Sequence, residues 1–342
     1  MRAAMLPIIF GLSGERLTAD ERAFFADAGP AGFILFGRNC AGPEQVRALT
    51  AELRDLTGRA DLPILTDQEG GRVARLRPPA WPEQPHPAIF GRLYRRAPIS
   101  GMEAARLHGA ALAAMLRDAG ISWNCAPMLD LGHEGAHPII ADRALGAEPM
   151  QVAALGRAWL DGMRAGGVTG IVKHMPGHGR AAVDSHVALP FVAASEAGLD
   201  VDLEPFRALN GVPAAMTAHV VFAAWDPERP ATLSPTVIGE VIRGRIGFSG
   251  LLMSDDIAME ALAGPHGARA AGALAAGCDL VLHCSGVLAE MEEIAAALPA
   301  IGPEARERLE RAVAWAPVAG EAGGYDELAA RRDKLLAYAA HN

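Results

Sequence analysis

Short apolar runs alternate along the chain with longer stretches whose apolar positions return every three or four residues. The runs are Met5–Phe10, Gly32–Phe36, Pro63–Thr66, Ile121–Cys125, Gly170–Lys173, Ala214–Thr217, Gly250–Ser254 and Asp279–Leu282. Each is short for a helix but continuous enough for a strand buried on both faces, and helical stretches rich in Ala, Leu and Arg separate most of them. Eight strand runs with helices between them predict an α/β fold, a (β/α)8 TIM-like barrel formed by a single domain over residues 1–342.

Helix starts agree with this spacing. Thr18-Ala-Asp-Glu21 reads as a capping box, and Pro43 and Pro235 stand where a first helical turn tolerates proline. From about residue 300 to 342 the pattern predicts extra helices, broken at Gly323-Gly324 and packed on the outside of the barrel. Two irregular stretches, Pro78–Pro87 and Pro176–Pro190, are long enough to be working loops.

Polar residues gather where the strands end. Asp67 ends the third run, Asp130 follows the fourth, Lys173 and His174 end the fifth, His219 follows the sixth, and Asp255 and Asp256 end the seventh. A barrel builds its active site at these ends, so the set predicts one shared site, with helix capping as the alternative for one or two members. Asp255 and Asp256 are adjacent and must point to opposite sides of a strand, so only one faces the mouth, and the sequence pattern does not say which.

Lys173 is one of two lysines, the other being Lys334, among 31 basic residues, and it terminates an apolar run. A buried amine there can form a Schiff base or donate hydrogen bonds to a substrate hydroxyl. The stretch from His174 to His186 holds His174, His178, His186 and Asp184 among glycines. Metal binding is the weaker reading, because the spacing offers no regular ligand set. Proton transfer is the stronger: Asp184 accepts from His186 and fixes its tautomer, against the alternative of a simple Asx-turn. Arg72, Arg75 and Arg77 follow Gly70-Gly71 and either clamp a substrate or stay solvated.

Composition narrows the ligand class. A net charge of -9 and a sequence pI near 5.7 argue against an electrostatic grip on nucleic acid or anionic lipid and favour a small molecule. Cys40, Cys125, Cys278 and Cys284 form no CxxC pair and read as reduced core residues. No segment has the length of an export signal or a membrane span, so a cytoplasmic location is expected.

The motifs Asp67-Gln-Glu-Gly-Gly-Arg-Val73, Lys173-His-Met-Pro-Gly-His-Gly179, Asp184-Ser-His186 and Ser254-Asp-Asp256 together resemble glycoside hydrolase family 3, in particular its single-domain bacterial β-N-acetylglucosaminidases. The resemblance runs from about Gly11 through Cys284. It implies retaining hydrolysis with Asp255 as nucleophile, His186 as acid/base and Asp184 orienting it, in place of the second carboxylic acid most retaining enzymes use. It further implies that Asp67, Arg75, Arg143, Lys173 and His174 bind the sugar, which moves Lys173 away from Schiff-base chemistry. The implied substrates are N-acetylglucosaminyl-1,6-anhydro-muropeptides of cell-wall turnover; no metal or organic cofactor is implied, and a monomer is expected. A β-glucosidase, a phosphorylase of the same family and a sugar-binding barrel without catalysis are the alternatives. Two departures from the family pattern are Met175, where an aromatic residue is frequent, and Ala141, where glycine often precedes the Asp142-Arg143 pair.

Overall fold

In a computed structural model, which describes residues 5–133, 138–181, 183, 185, 187–316 and 323–341, the eight apolar runs become the strands of one closed parallel barrel. In chain order the elements are β1 (Leu6–Gly11), α1 (Ala19–Ala28), β2 (Pro30–Leu35), α2 (Pro43–Thr57), β3 (Ile64–Thr66), α3 (Ala88–Arg96), α4 (Pro98–Asp118), β4 (Trp123–Asn124), α5 (Pro138–Ala141), α6 (Pro149–Ala165) and β5 (Thr169–Met175). They continue with β6 (Phe191–Val192), α7 (Glu196–Ala208), β7 (Ala214–Thr217), β8 (Val221–Phe222), a π-helix (Val237–Arg245), β9 (Leu251–Asp256), α8 (His266–Ala276), β10 (Leu280–His283), α9 (Leu288–Ala297), α10 (Pro303–Ala314) and α11 (Tyr325–His341). Around the barrel the order is β1-β2-β3-β4-β5-β7-β9-β10, closing back on β1, while β6 and β8 pair separately above it. β4 takes up only two residues of its apolar run.

The strands sort their side chains by parity, since successive residues point to opposite faces. Ile9, Ile34, Leu65, Trp123, Ile171, Leu251, Met253, Leu280 and Leu282 form the barrel interior. Their neighbours Ile8, Phe10, Phe33, Leu35, Ile64, Val172, Leu252 and Val281 pack outward against the helices. Both faces are therefore apolar, which is why the sequence shows continuous runs instead of alternation. The Thr18 capping box is present, with the Thr18 hydroxyl accepting from Glu21 N and the Glu21 carboxylate accepting from Thr18 N. All four cysteines are free thiols, and Cys125, Cys278 and Cys284 are buried.

The two tail helices divide their work. α11 packs against α4 and α3. α10 instead sits under the barrel floor, where Leu309 and Ala312 join the interior cluster, Ile301 N donates to Met5 O at 2.8 Å and the Thr169 hydroxyl donates to Ala312 O at 3.2 Å. The reason is solvation: the lower interior layer would otherwise face water at the N-terminal ends of the strands. No helix among the described residues is long and apolar enough to cross a membrane. Leu309→Ala should destabilise the fold by about 2–5 kcal/mol, whereas Glu310→Ala on the exposed face of the same helix should cost less than about 0.5 kcal/mol. Urea unfolding of the two variants checks this; equal losses would mean that α10 does not close the floor.

Candidate active site

The interior rows of the barrel end in polar groups at its C-terminal mouth. Leu65 is followed two residues on by Asp67, Ile171 by Lys173 and Met253 by Asp255, each on the inward side of its strand. These residues line a cavity of about 360 Å³ with Phe36, Arg75, Arg143, His174, His178 and Ser185 in its wall. Parity thus answers the question the sequence left open for the aspartate pair: Asp255 belongs to the row of Leu251 and Met253. Asp256 reaches the cavity rim, but its carboxylate accepts from Ala258 N at 3.0 Å and Cys284 N at 3.1 Å and holds two loop starts together.

One side of the cavity is a buried network of four charges with Arg75 at its edge. Lys173 Nζ donates to Asp67 Oδ1 at 2.9 Å and meets Glu69 Oε1 at 2.7 Å. Arg143 grips Glu69 with two bonds of 2.8 Å, and Arg75 Nη2 donates to Asp67 Oδ2 at 3.1 Å. Lys173 is 3% and Glu69 1% exposed, so these charges have little water to lean on. Burial pushes the Asp67 and Glu69 carboxyls up, but the cations outweigh it: Lys173 and Arg75 hold Asp67 below the ordinary range, and Arg143 and Lys173 bring Glu69 to about 2. Burial likewise lowers Lys173, and Asp67 with Glu69 more than reverses it, so the amine stays protonated. A Schiff base needs a free neutral amine, so this environment favours the hydrogen-bonding role. The Arg75 guanidinium lies 4.6 Å over the Phe36 ring, and its buried Nε has no partner among the described residues.

The opposite side is built on Asp130. Its carboxylate takes His174 Nδ1 at 2.6 Å and His178 N at 2.6 Å, which ties the start of the Pro176–Pro190 stretch to the end of β4. Because an ionised carboxylate only accepts, His174 Nδ1 carries the proton and Nε2 is turned toward Asp255 Oδ2, 4.0 Å away. Burial raises the Asp255 carboxyl, but His174 first and His219 next draw it below the ordinary aspartate value, so it is ionised at neutral pH. His178 is lowered to about 4, by burial and then by His174, and is neutral; its Nε2 lies 3.3 Å from Ser185 Oγ. Further along, Asp202 of α7 takes both His133 Nε2 and Arg180 Nε at 2.5 Å, a second anchor for the same stretch.

Of the residues picked out in the sequence, Asp67, Arg75, Arg143, Lys173, His174 and Asp255 come together around this cavity. Asp184 and His186 lie outside the described residues; Ser185 between them is in the cavity wall. The His219 ring bridges Thr232 Oγ1 at 2.7 Å and Asp256 O at 2.9 Å, beside the strand end that carries Asp255, and it helps to lower the Asp255 carboxyl. Arg72 pairs with Asp142 at the rim, and Arg77 binds the carbonyls of Ala74 and Arg72. Glu69 and Phe36 were not singled out by sequence reasoning. An acidic residue within an otherwise buried turn was the available signal for Glu69; nothing local marks Phe36.

Among the described residues, the His174 ring pairs with Asp130 and the His178 ring with Ser185. Another group of potential ligands, His266, His283 and Glu290, lies outside the cavity. His283 Nε2 meets Glu290 Oε2 at 3.1 Å, but its buried Nδ1 has no partner among the described residues. A metal-binding imidazole normally donates its second N–H, so this group reads as a hydrogen-bonded cluster at the start of α9.

A barrel with a charged pocket at the C-terminal strand ends defines an α/β-barrel enzyme. Residues 5–315 match the glycosyl hydrolase family 3 N terminal domain, and the chain belongs to that family: it is a glycoside hydrolase. A protein of Alkalilimnicola ehrlichii named beta-hexosaminidase is 43% identical over 284 residues, 82% of this chain and 80% of that one. A beta-hexosaminidase of Methylococcus capsulatus is 41% identical over 282 residues, 81% of this chain and 82% of its own. Among solved structures, NagZ from Neisseria gonorrhoeae in complex with N-trifluoroacetyl-D-glucosamine is similar at a TM-score of 0.85 and 31% identity, covering 99% of this chain and 98% of that one.

Glu69→Gln keeps the shape of the side chain and removes the buried charge that meets both Arg143 and Lys173. The expected loss is about 3–5 kcal/mol at pH 7. The folded Glu69 titrates below the unfolded value of about 4.3, so its stabilisation is complete above that pH and fades as pH falls toward about 2. Unfolding curves of the two proteins should therefore converge below about pH 4; a gap that stays constant down to pH 3 would contradict the role of the ionised carboxylate.

Proposed function

We propose that the chain is a retaining exo-β-N-acetylhexosaminidase that removes a terminal N-acetylglucosamine, with Asp255 as nucleophile. The observation that carries this reading is the inward, ionised Asp255 facing a cavity of about 360 Å³ with a network of buried charges opposite. Asp255 attacks the anomeric carbon while the leaving oxygen takes a proton, and water then releases the sugar from the glycosyl-enzyme. His186 gives that proton to the leaving oxygen and, in the second step, takes one from the attacking water, with Asp184 fixing its ring. Asp67, Arg75, Arg143, Lys173 and His174 hold the sugar; the unpartnered Arg75 Nε and the inward Lys173 amine are donors suited to hydroxyl or acetamido oxygens. His178 is excluded as the acid, because it is neutral at working pH.

The names of the relatives, and the acetamido sugar bound in the Neisseria structure, favour a 2-acetamido substrate. We assign the physiological substrate to N-acetylglucosaminyl-1,6-anhydro-muropeptides of cell-wall recycling, cleaved in the cytoplasm by a monomer that needs no cofactor. Release of nitrophenol from the β-N-acetylglucosaminide and the β-glucoside, side by side, tests the sugar. Activity confined to the acetamido sugar is expected; preference for glucose overturns the specificity. Sugar 1-phosphate formed in phosphate buffer would make the enzyme a phosphorylase.

His186→Ala should reduce turnover of poor leaving groups at least about a hundredfold more than that of activated phenols, since general acid catalysis contributes roughly 10²–10⁴. Equal losses would remove His186 from the acid/base role. With Asp255 already ionised, kcat/KM between pH 5 and 8 should have no acidic limb and should fall only as the imidazolium is lost on the alkaline side. A loss of activity on going from pH 7 to 5 would contradict the lowered Asp255 pKa.

A further inference from the structure

Behind the 69–71 turn, on the face away from the cavity, stands a second polar group that the sugar chemistry does not use. Its centre is Arg332 of α11, a helix that begins after residue 315, where the family domain ends. The Arg332 side chain is only 3% exposed, and among the described residues its carboxylate partner is the solvent-facing Asp333, 2.7 Å from Nε. Nη1 points inward and donates to Gln84 Oε1 at 3.1 Å and to His108 Nδ1 at 3.0 Å. Both partners are buried, and both touch the turn that carries Glu69. The Gln84 carbonyl accepts from Gly71 N at 3.0 Å, and His108 Nε2 lies 3.5 Å from the Glu69 carbonyl.

A guanidinium has donors and no acceptor, so the His108 Nδ1 it meets must carry the lone pair. The ring proton then sits on Nε2 and is directed at the Glu69 carbonyl. Burial, and after it the charge of Arg332, holds the His108 pKa well below the ordinary value, so a second proton does not bind. Phe90 and Trp159 pack on the ring, with centroids 4.9 and 4.5 Å away. At Gly71 (φ +55°) a Cβ would come within 2.7 Å of His86 Cβ, so the turn is fitted closely against the Gln84–His86 segment as well.

We propose that Arg332 is a positioning residue for the sugar site: by fixing the His108 tautomer and the Gln84 side chain it holds the 69–71 turn, and through it the Glu69 carboxylate that orients Arg143 and Lys173. This rests on the sugar-binding roles proposed above. α11 is on this account a working part of the catalytic unit, although it lies outside the family domain.

Arg332→Met in the full chain should raise KM for 4-nitrophenyl N-acetyl-β-glucosaminide and lower kcat/KM about tenfold, the size expected when a buried hydrogen bond behind a binding group is left unmade. His108→Leu should do the same, and the double variant should lose no more than either alone. His108→Gln, whose amide can accept from Arg332 and donate to Glu69, should recover most of what His108→Leu loses. An Arg332→Met enzyme that melts earlier but keeps the original KM and kcat would reduce Arg332 to a structural role and overturn the proposal, as would losses that multiply in the double variant. Imidazole 15N shifts of the unaltered chain read the relay without substrate: a neutral His108 protonated on Nε2 is expected, and a proton on Nδ1 overturns it even if Arg332→Met does not fold. If the unaltered chain turns over no acetamido sugar, the proposed function fails, and the relay is then judged on the ring nitrogens alone.

Discussion

The structure depends on placing two carboxylates and two cations side by side where water is nearly absent. Isolated, any one of Asp67, Glu69, Lys173 and Arg143 would be driven neutral or would unfold its surroundings. Together they satisfy one another, and because Glu69 takes a two-pronged guanidinium while Lys173 bridges two carboxylates, the network tolerates few geometries. That rigidity is what a sugar site needs, since hydroxyl recognition depends on donors and acceptors held in place before the substrate arrives. The barrel supplies the frame: the inward rows of β3, β5 and β9 lead to Asp67, Lys173 and Asp255 at the mouth.

Much of this was legible in the sequence because strands are local. The eight runs, their order and the polar residues at their ends follow from short-range pattern, and the same parity that buries Ile9, Ile34 and Leu65 carries Asp67, Lys173 and Asp255 inward. The pairings were not legible. Glu69 and Arg143 are 74 positions apart, and Lys173 and Asp67 106, so no local signal links them. The same holds for Asp130, which the pattern marked as a strand-end residue without showing that it gathers His174 and His178. Nor does the pattern show that His219 bridges Thr232 and the Asp256 carbonyl. The tail was read as two outer helices, and only the exposed apolar floor of the barrel, a property of the assembled strands, explains why α10 goes beneath it.

The two sides of the cavity have different electrostatic jobs. The four-charge network stays fixed across the working pH range, since its carboxyls are held low and its lysine high. The Asp130 side sets the protonation pattern around Asp255: His174 presents its second nitrogen to that carboxylate, and His178 stays neutral. Both sides are tied to the helical layer, one by way of His108 and Arg332, the other by way of Asp202, so the pocket is held from behind as well as lined from within.

The central claim is that Asp255 forms a covalent bond to the sugar. Incubation with a fluorinated N-acetylglucosaminyl donor that slows the second step, followed by digestion and mass spectrometry, tests it directly. The account predicts an adduct of one glycosyl unit on Asp255 that disappears on longer incubation as water completes the reaction. An adduct on another residue, or full inhibition with none, would contradict it.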